Sequence, residues 1–213
     1  ATCTDADLSN EGFRWLSAQK ILVAGNDIWA FRMSYAGELG WEFHMPRSAT
    51  LDVYSALWAA GGKHGIIDYG SFAMNVMRME KGFKGAGELT NEVTLAEADV
   101  LRFACADKEY LGREKTLNAD LPWVCAYLEI EPDGKVDGHG GEAVIFDGKV
   151  VGSTTSVVYG QTIGKILAFA YIKPKAAKPN TVLSVMIHGK PRAGRVLSEA
   201  AYDPQNLKPR TEK

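Results

Sequence analysis

Cysteine is scarce, and the three that occur, Cys3, Cys105 and Cys125, are far apart and odd in number. A disulfide framework is therefore excluded as the source of stability, and a reducing compartment fits best. Histidine is equally thin. His44, His64, His139 and His188 have no paired ligand spacing and no Cys-x-x-Cys beside them, so no metal motif is present. No apolar run approaches the roughly 20 residues of a membrane span, and no signal peptide opens the chain. A surplus of one charge is missing too: 24 Lys and Arg stand against 26 Asp and Glu, for a net charge of -2. That removes the electrostatic ground for nucleic-acid binding. The nucleotide and hydrolase signatures fail one by one. Gly61-Gly62-Lys63-His64-Gly65 lacks the spacing and the Ser/Thr of a phosphate loop. Gly82-x-x-Gly85-x-Gly87 has the wrong order for a dinucleotide fingerprint, and no Gly-x-Ser-x-Gly elbow occurs.

What is there is an ordinary globular composition, 46% hydrophobic and 23% charged over 213 residues, enough for one sizeable core or two small ones. The chain is organised around Phe31–Pro46, FRMSYAGELGWEFHMP. Two strand-like runs, Phe31–Ala36 and Trp41–Met45, flank Gly37-Glu38-Leu39-Gly40, whose glycines suit a tight hairpin loop. That loop predicts Ala36 opposite Trp41, Tyr35 opposite Glu42 and Met33 opposite His44. One face then carries Ser34, Ala36, Trp41, Phe43 and Met45, with Arg32 its only charge, and reads as core. The other face presents Tyr35 and Glu42, with Met33 and His44 beside them. It is either an ordinary half-exposed cross-strand pair or a site for a flat, polar-edged ligand. In the second case the phenol packs on the ligand and the carboxylate bonds its edge.

Around this hairpin, Asp7 or Ser9 can cap a short helix through Leu16, with Phe13 and Leu16 inward. Strands are expected at Ile21–Ala24 and Ile28–Ala36, separated by the turn signal Gly25-Asn26-Asp27. Ser48 suits the N-cap of a helix with Leu51, Tyr54, Leu57 and Trp58 on one face, ending at Gly61-Gly62. A second helix is expected from Ser71 to Lys81, with Phe72, Val76, Met79 and Phe83 along one stripe. Glu80 falls inside that apolar arc, so it either reaches water at the rim or needs partners in the core. On spacing alone Arg78 lies outside the arc, as a solvated residue.

Around Leu121-Pro122 the texture changes to short strands alone: Trp123–Ile130, Glu142–Phe146, Lys149–Val158, Lys165–Ile172, Thr181–Ile187 and Arg192–Leu197. Gly, Pro, Asn and Asp turns separate them, which predicts a small barrel or sandwich. Cys105 and Cys125 sit in apolar runs and read as buried and inert.

Three of these stretches, SYAGELGWEFHMP, VMRMEKG and GKVVGSTTSVVYGQTIGKILAFAYI, jointly resemble the folate-binding aminomethyltransferase family. That family includes the glycine-cleavage T protein and the folate domains of dimethylglycine and sarcosine dehydrogenases. The GELGWE form is closer to the dehydrogenase branch. The connection 82–117 is similar too, in its glycine-rich loop Gly82/Gly85/Gly87, Thr94, the step Leu95–Ala98 and the turn Tyr110–Arg113. Two departures stand out. Relatives usually place a glycine where this chain has Asp99, and the strand after it is normally more apolar than VLRFACAD.

The resemblance implies an α+β fold: a partial folate-binding aminomethyltransferase domain over 1–120, then a small antiparallel β-barrel domain over 121–213. The chain opens on Ala1 in a stretch that resembles the interior of the family's domain, which predicts an N-terminally truncated piece. The implied cofactor is tetrahydrofolate, with Tyr35 and Glu42 holding its pterin and Arg78 contacting it. FAD is expected only in a separate upstream flavin domain of the parent. The family's catalytic acid is an aspartate from the absent part; Asp5, Asp7 and Asp27 occupy cap or turn contexts, so no catalytic residue is assigned.

The expected activity is one-carbon transfer from an N-methyl amine of the dimethylglycine or sarcosine type to folate, with this chain alone inactive. The alternatives are a fragment of a free-standing aminomethyltransferase or sulfonium demethylase, and a non-catalytic folate-binding or assembly module. Expected partners are folate, the amine and the flavin domain, without nucleic acid or membrane. The expected location is the cytoplasm, or the mitochondrial matrix in a eukaryote.

Overall fold

Val23 and Asn26 face each other across the two-residue turn Ala24-Gly25, which joins β1 (Ala18–Val23) to β2 (Asn26–Phe31). Both turn residues have positive φ, 49° and 79°, the combination whose twist matches a right-handed strand pair. The turn therefore sits one step earlier than the Gly25-Asn26-Asp27 signal implies. The computed structural model describes residues 3–105, 107–118, 120–134 and 138–211. A third strand, β3 (Glu42–His44), adds antiparallel to β2. The inner face of this sheet carries Ile21, Val23, Ile28 and Ala30, which pack with Phe13 and with Val53 of α1 (Thr50–Gly61).

The hairpin register differs from the sequence expectation. Phe31, not Tyr35, lies opposite Glu42, with Ala30 opposite Phe43 and Trp29 opposite His44. Strand β2 ends at Phe31 because the next residue turns inward. Arg32 is buried, and its guanidinium donates to the carbonyls of Phe13 (2.5 Å) and Ser9 (3.3 Å) and to Asn10 Oδ1. Its own backbone pairs with Leu16 and Ser17 rather than with the outgoing strand. Residues 32–41 thus become a wide connection, with Trp41, Phe43 and Met45 still packed on the inner cluster.

Two helical expectations change as well. Residues 9–16 form turns, not a helix; Ser9 Oγ accepts from the Gly12 amide, and Leu16 has φ 59° and is exposed while Phe13 is buried. In α1 Val53 is buried and Leu57 packs on the same cluster, whereas Leu51, Tyr54 and Trp58 of the expected face lie exposed, with Tyr54 bonded to Asp68 and stacked at 5.8 Å on Trp58.

The chain falls into two compact units, Ala1–Met74 with Gln205–Lys213, and Asn75–Pro204. The division lies inside α2 (Ser71–Glu80), while the change of texture lies near residue 121. The two boundaries differ because Val76 and Met79 of α2 pack on the outside of the barrel, which carries 75–120 with it. Phe72, on the expected stripe, is exposed. After α2, Thr94 and Glu97 bond each other's amides and side chains reciprocally, a capping box around one turn. Asp99 then has φ 54°, a left-handed conformation that a short Asp tolerates, at the position where the resemblance leads one to expect glycine. Residues 101–103 form a helical turn with Arg102 and Phe103 exposed, so the less apolar sequence there matches solvent contact. A short helix, α3 (Arg113–Leu117), precedes the barrel.

All six expected barrel strands are present: β4 (Val124–Ile130), β5 (Ala143–Phe146), β6 (Lys149–Gly160), β7 (Lys165–Ile172), β8 (Val182–Ile187) and β9 (Lys190–Val196). They close antiparallel in the order β4-β7-β6-β5-β8-β9, which leaves no unpaired edge. The fold is α+β, as the resemblance implies. Leu128, Ile130, Ile166, Ala168, Ile172, Val185 and Ile187 fill the interior. Tyr127, Val158, Leu167 and Phe169 face outward onto α2, so β7 is buried on both sides and reads as one apolar run.

Where β6 crosses β7, Gly152 leaves no room for a side chain: a Cβ there would stand 2.0 Å from the Tyr171 carbonyl oxygen and 2.8 Å from Ile172 Cα. Backbone cannot give way as a side-chain tip can. Gly152→Ala is expected to cost about 3 kcal/mol of stability, at the upper end for overpacking. Guanidinium unfolding measures this, and an unchanged midpoint would show that β6 moves off β7 freely.

Candidate functional site

Antiparallel pairing puts Trp29 and Phe31 on the same side of the sheet as His44 and Glu42, and that side faces outward. Trp29 is 48% exposed, and the rings of Phe31 and His44 meet at 4.6 Å between centroids. His44 Nε2 lies 3.8 Å from Glu42 Oε2, and both side chains are open to solvent. The result is a shallow aromatic floor with a carboxylate at its edge. Such a floor takes a flat ring, and the carboxylate takes N–H donors on the ring's rim. Tyr35 belongs to the same unit and is exposed, but it lies in the 32–41 connection and is not the cross-strand partner of Glu42.

Arg78 belongs to the other unit and is not solvated. It is 5% exposed and its guanidinium donates to four acceptors. Nε bonds Asn75 Oδ1 at 2.9 Å; Nη1 bonds the Phe83 carbonyl at 3.0 Å and Glu88 Oε2 at 2.9 Å; Nη2 bonds Ser156 Oγ at 2.9 Å. Its neighbours on the helix are buried as well. Glu80 takes the core alternative, accepting the Thr162 amide at 2.7 Å, and Lys81 Nζ donates to the Asp203 carbonyl at 2.6 Å. The Tyr127 hydroxyl donates to the Met79 carbonyl at 2.6 Å.

The residue that sequence reasoning missed is Glu88, which is fully buried. Oε2 accepts from Arg78 and from the Gly85 amide at 2.8 Å; Oε1 accepts from Ser156 at 2.5 Å and Thr155 at 2.7 Å. The Tyr171 hydroxyl donates to the Glu88 carbonyl at 2.7 Å. Glu88 stands in an aperiodic glycine-rich loop, where no spacing rule applies. The one available signal is the polar run Ser153–Ser156 inside an otherwise apolar strand. Cys125 is buried, which pushes its thiol up to about 12 and leaves it inert, whereas Cys105 is exposed, contrary to the reading of its apolar surroundings. Among the described residues no group of three His, Cys, Asp or Glu is placed to hold a metal. No described helix is long and apolar enough to cross a membrane.

Burial pushes the Glu88 carboxyl up, but the Ser156, Thr155 and Gly85 bonds and the Arg78 charge outweigh it and hold it below the ordinary range. A folded-state value below the unfolded one contributes stability above the unfolded value, lost as pH falls through the folded one. Acid should therefore loosen the 75–204 unit progressively below the ordinary carboxyl value of 4.5. Glu88→Gln should flatten that acid limb while lowering stability at neutral pH, as read by denaturation at stepped pH. An acid limb of unchanged steepness in the variant would exclude Glu88 as its source.

Two family models match the chain: "GCVT N-terminal domain" over residues 1–108 and "Glycine cleavage T-protein C-terminal barrel domain" over 124–203. Dimethylglycine dehydrogenase of Homo sapiens mitochondria is 33% identical over 204 residues, covering 92% of this chain and 23% of that protein. Sarcosine dehydrogenase of the same organism is 36% identical over 184 residues, covering 82% and 20%. A "Probable aminomethyltransferase" of Thermococcus kodakarensis is 28% identical over 219 residues, covering 90% and 54%. The chain thus spans less than a quarter of the two dehydrogenases. The solved aminomethyltransferase T from Bartonella henselae superposes with a TM-score of 0.76 at 19% identity, covering 94% of this chain and 56% of that one, a likeness of fold. Two adjoining domain matches in the family's own order, on a chain that folds as a sheet-and-helix unit and a closed barrel, settle the assignment: this chain belongs to the glycine-cleavage T-protein family of aminomethyltransferases.

Proposed function

We propose that this chain is the tetrahydrofolate-binding part of an enzyme that passes a one-carbon unit from an N-methyl amine, of the dimethylglycine or sarcosine kind, to folate. The observation that carries the reading is the outward sheet face, where Trp29, Phe31 and His44 make a floor for a flat ring and Glu42 stands at its edge. Those residues fit a pterin, whose rim presents N–H donors to a carboxylate. Glu42 accepts those donors and Tyr35 packs on the ring from the 32–41 connection. The folate contact of Arg78 rests on the resemblance alone, since its guanidinium is committed to four acceptors within the 75–204 unit. Bound tetrahydrofolate supplies the nitrogens that take up the one-carbon unit. The choice of amine follows from the dehydrogenase relatives, more similar to this chain at 33% and 36% identity than the aminomethyltransferase at 28%. In this reading residues 1–120 serve folate and 121–213 are the barrel domain, and FAD sits in a separate part of the parent, in the cytoplasm or the mitochondrial matrix.

Glu42→Gln keeps the size of the side chain but turns one acceptor into a donor aimed at another donor. The mismatch is expected to cost about 1.5–3 kcal/mol of reduced-folate binding, the worth of a hydrogen bond to a charged group. Calorimetric titration of the intact protein and the variant measures this, and equal affinities would remove Glu42 from the site.

These 213 residues by themselves are expected to give no enzymatic transfer. Asp7 is tied to the Ser9 amide at 3.0 Å, which holds its carboxyl below the ordinary range, and Asp27 stands in the exposed start of β2, so neither is placed as an acid over a ring. Orientation of the acceptor nitrogen can be worth about 7–11 kcal/mol of barrier, and an open floor supplies little of it. Mixing the chain with formaldehyde and tetrahydrofolate should yield only the spontaneous condensation. A clear excess of product would place the acid within this sequence, with Asp5 and Asp7 the first residues to replace.

A further inference from the structure

Among the described residues, Arg192 alone leaves two buried polar atoms without a hydrogen-bond partner, Nε and Nη1. It lies in β9 opposite Val185, and antiparallel partners share a face. Val185 belongs to the barrel interior, so the Arg192 side chain starts on the inner side, just beyond the His188-Gly189 turn that ends the β8–β9 ladder. Val144, opposite Val185 on β5, is apolar as well. This part of the inner wall therefore offers the cation no side-chain acceptor.

Arg192 is 8% exposed, and among the described residues its one ion pair runs from Nη2 to Asp133 Oδ2 at 3.4 Å. Charge-assisted bonds of this kind are about 2.7–2.9 Å long. The contact is therefore loose, and it meets one nitrogen of the guanidinium. The Asp133 side chain is 66% exposed and also faces Lys190 Nζ at 3.9 Å, so two cations share one carboxylate. Other acids at this end of the barrel are committed elsewhere. Glu131 pairs with Lys165 at 2.6 Å, and Glu142 accepts from the His139 and Gly140 amides and the Thr154 hydroxyl. The rings of His139 and His188 meet beside the turn, 5.7 Å between centroids, and add N–H groups of their own.

A buried donor without an acceptor keeps its full desolvation penalty, and an apolar residue would fill the same position without it. The arrangement is economical only when an acceptor arrives from outside the chain. We propose that this end of the barrel binds a compact oxyanion, a phosphate or a carboxylate, on the Arg192 guanidinium, with Asp133 as the competitor that the anion displaces. The corner at Nη2, next to the exposed Asp133, is the way in. An untethered oxyanion can bond two guanidinium nitrogens at once, a pairing that Asp133 does not make. Lys190 adds a second positive charge at the entrance. The inference does not rest on the folate reading.

The test titrates the intact protein with inorganic phosphate, and separately with acetate, by calorimetry. Sodium chloride holds the ionic strength constant, so that general screening is the same throughout. The two arms tell a phosphate site from a carboxylate site. Arg192→Met should weaken binding at least about tenfold, the loss of a charge-assisted pair. Its thermal midpoint without anion should not fall, because the variant removes the two unpartnered donors. Asp133→Asn, on an exposed side chain that leaves the fold intact, should tighten binding about twofold to fivefold, the worth of one exposed ion pair. Opposite signs from the two partners of one ion pair are what a merely structural contact does not produce.

Binding of either anion with that pair of responses supports the site. Failure of both anions to bind would overturn the proposal. So would equal affinities in the parent protein and Arg192→Met, which would place any bound anion elsewhere. Weaker binding in Asp133→Asn would overturn the displacement, and the proposal with it.

Discussion

The 75–204 unit depends on a buried ion pair, Arg78 with Glu88, set at the end of a helix that the barrel holds by its polar groups. Residues 78–81 read Arg-Met-Glu-Lys, and all four are buried. Desolvating three charges within one turn would be prohibitive if any lacked a partner. Each has its own: Glu88 for Arg78, the Thr162 amide for Glu80, Asp203 for Lys81. Only Met79 makes the apolar contact, between Tyr127 and Phe169. The polar bonds are directional where the apolar contact is not, so they fix how far the helix slides and rotates on the barrel wall. This also explains why the compact unit begins inside the helix. The glycine-rich loop beyond the helix is held by Glu88 from both ends, at its carboxylate and at its carbonyl.

The barrel was legible because its information is local. Most strands are short and each is bounded by a Gly, Pro, Asn or Asp turn, and the close crossing of β6 and β7 falls on a glycine, Gly152. Two strands, β4 and β7, lose the alternating pattern because the cluster around Met79 of α2 covers their outer side. Asp99 is legible in retrospect for the same local reason: the backbone there is left-handed, so the departure from glycine is a substitution that the conformation allows.

What could not be read were contacts between distant segments. Glu88 lies 68 residues from Ser156 in sequence, and nothing near either residue announces the other. Arg78 looked solvated because helical spacing measures apolar faces and takes no account of a carboxylate waiting on the far side. In α1 three of the four residues of the apolar stripe, Leu51, Tyr54 and Trp58, are exposed, while the fourth, Leu57, packs on the sheet cluster together with the modest Val53. Hydrophobic content alone therefore gave only part of the covered face.

Arg32 shows the same limit with a consequence for the site. A tight Gly37–Gly40 hairpin is locally favourable, and it would have put Tyr35 over Glu42. Arg32 wins because its buried guanidinium finds two carbonyls and Asn10 Oδ1 in the 9–13 segment and lies 5.7 Å from the Trp41 ring centroid. All three hydrogen-bond acceptors are neutral, so the cation is held by dipoles and an aromatic face. Abandoning them to zip four more residues of strand would strand a charge in the core, a larger loss than the ladder bonds would return. The outcome is a carboxylate whose neighbour is Phe31 and whose floor is aromatic, made from residues before the connection instead of from within it. Tyr35, released from the ladder, sits on a segment whose two ends are pinned, by Arg32 at one and Trp41 at the other. The outward face of the sheet thus presents Trp29, Phe31 and His44 beside Glu42.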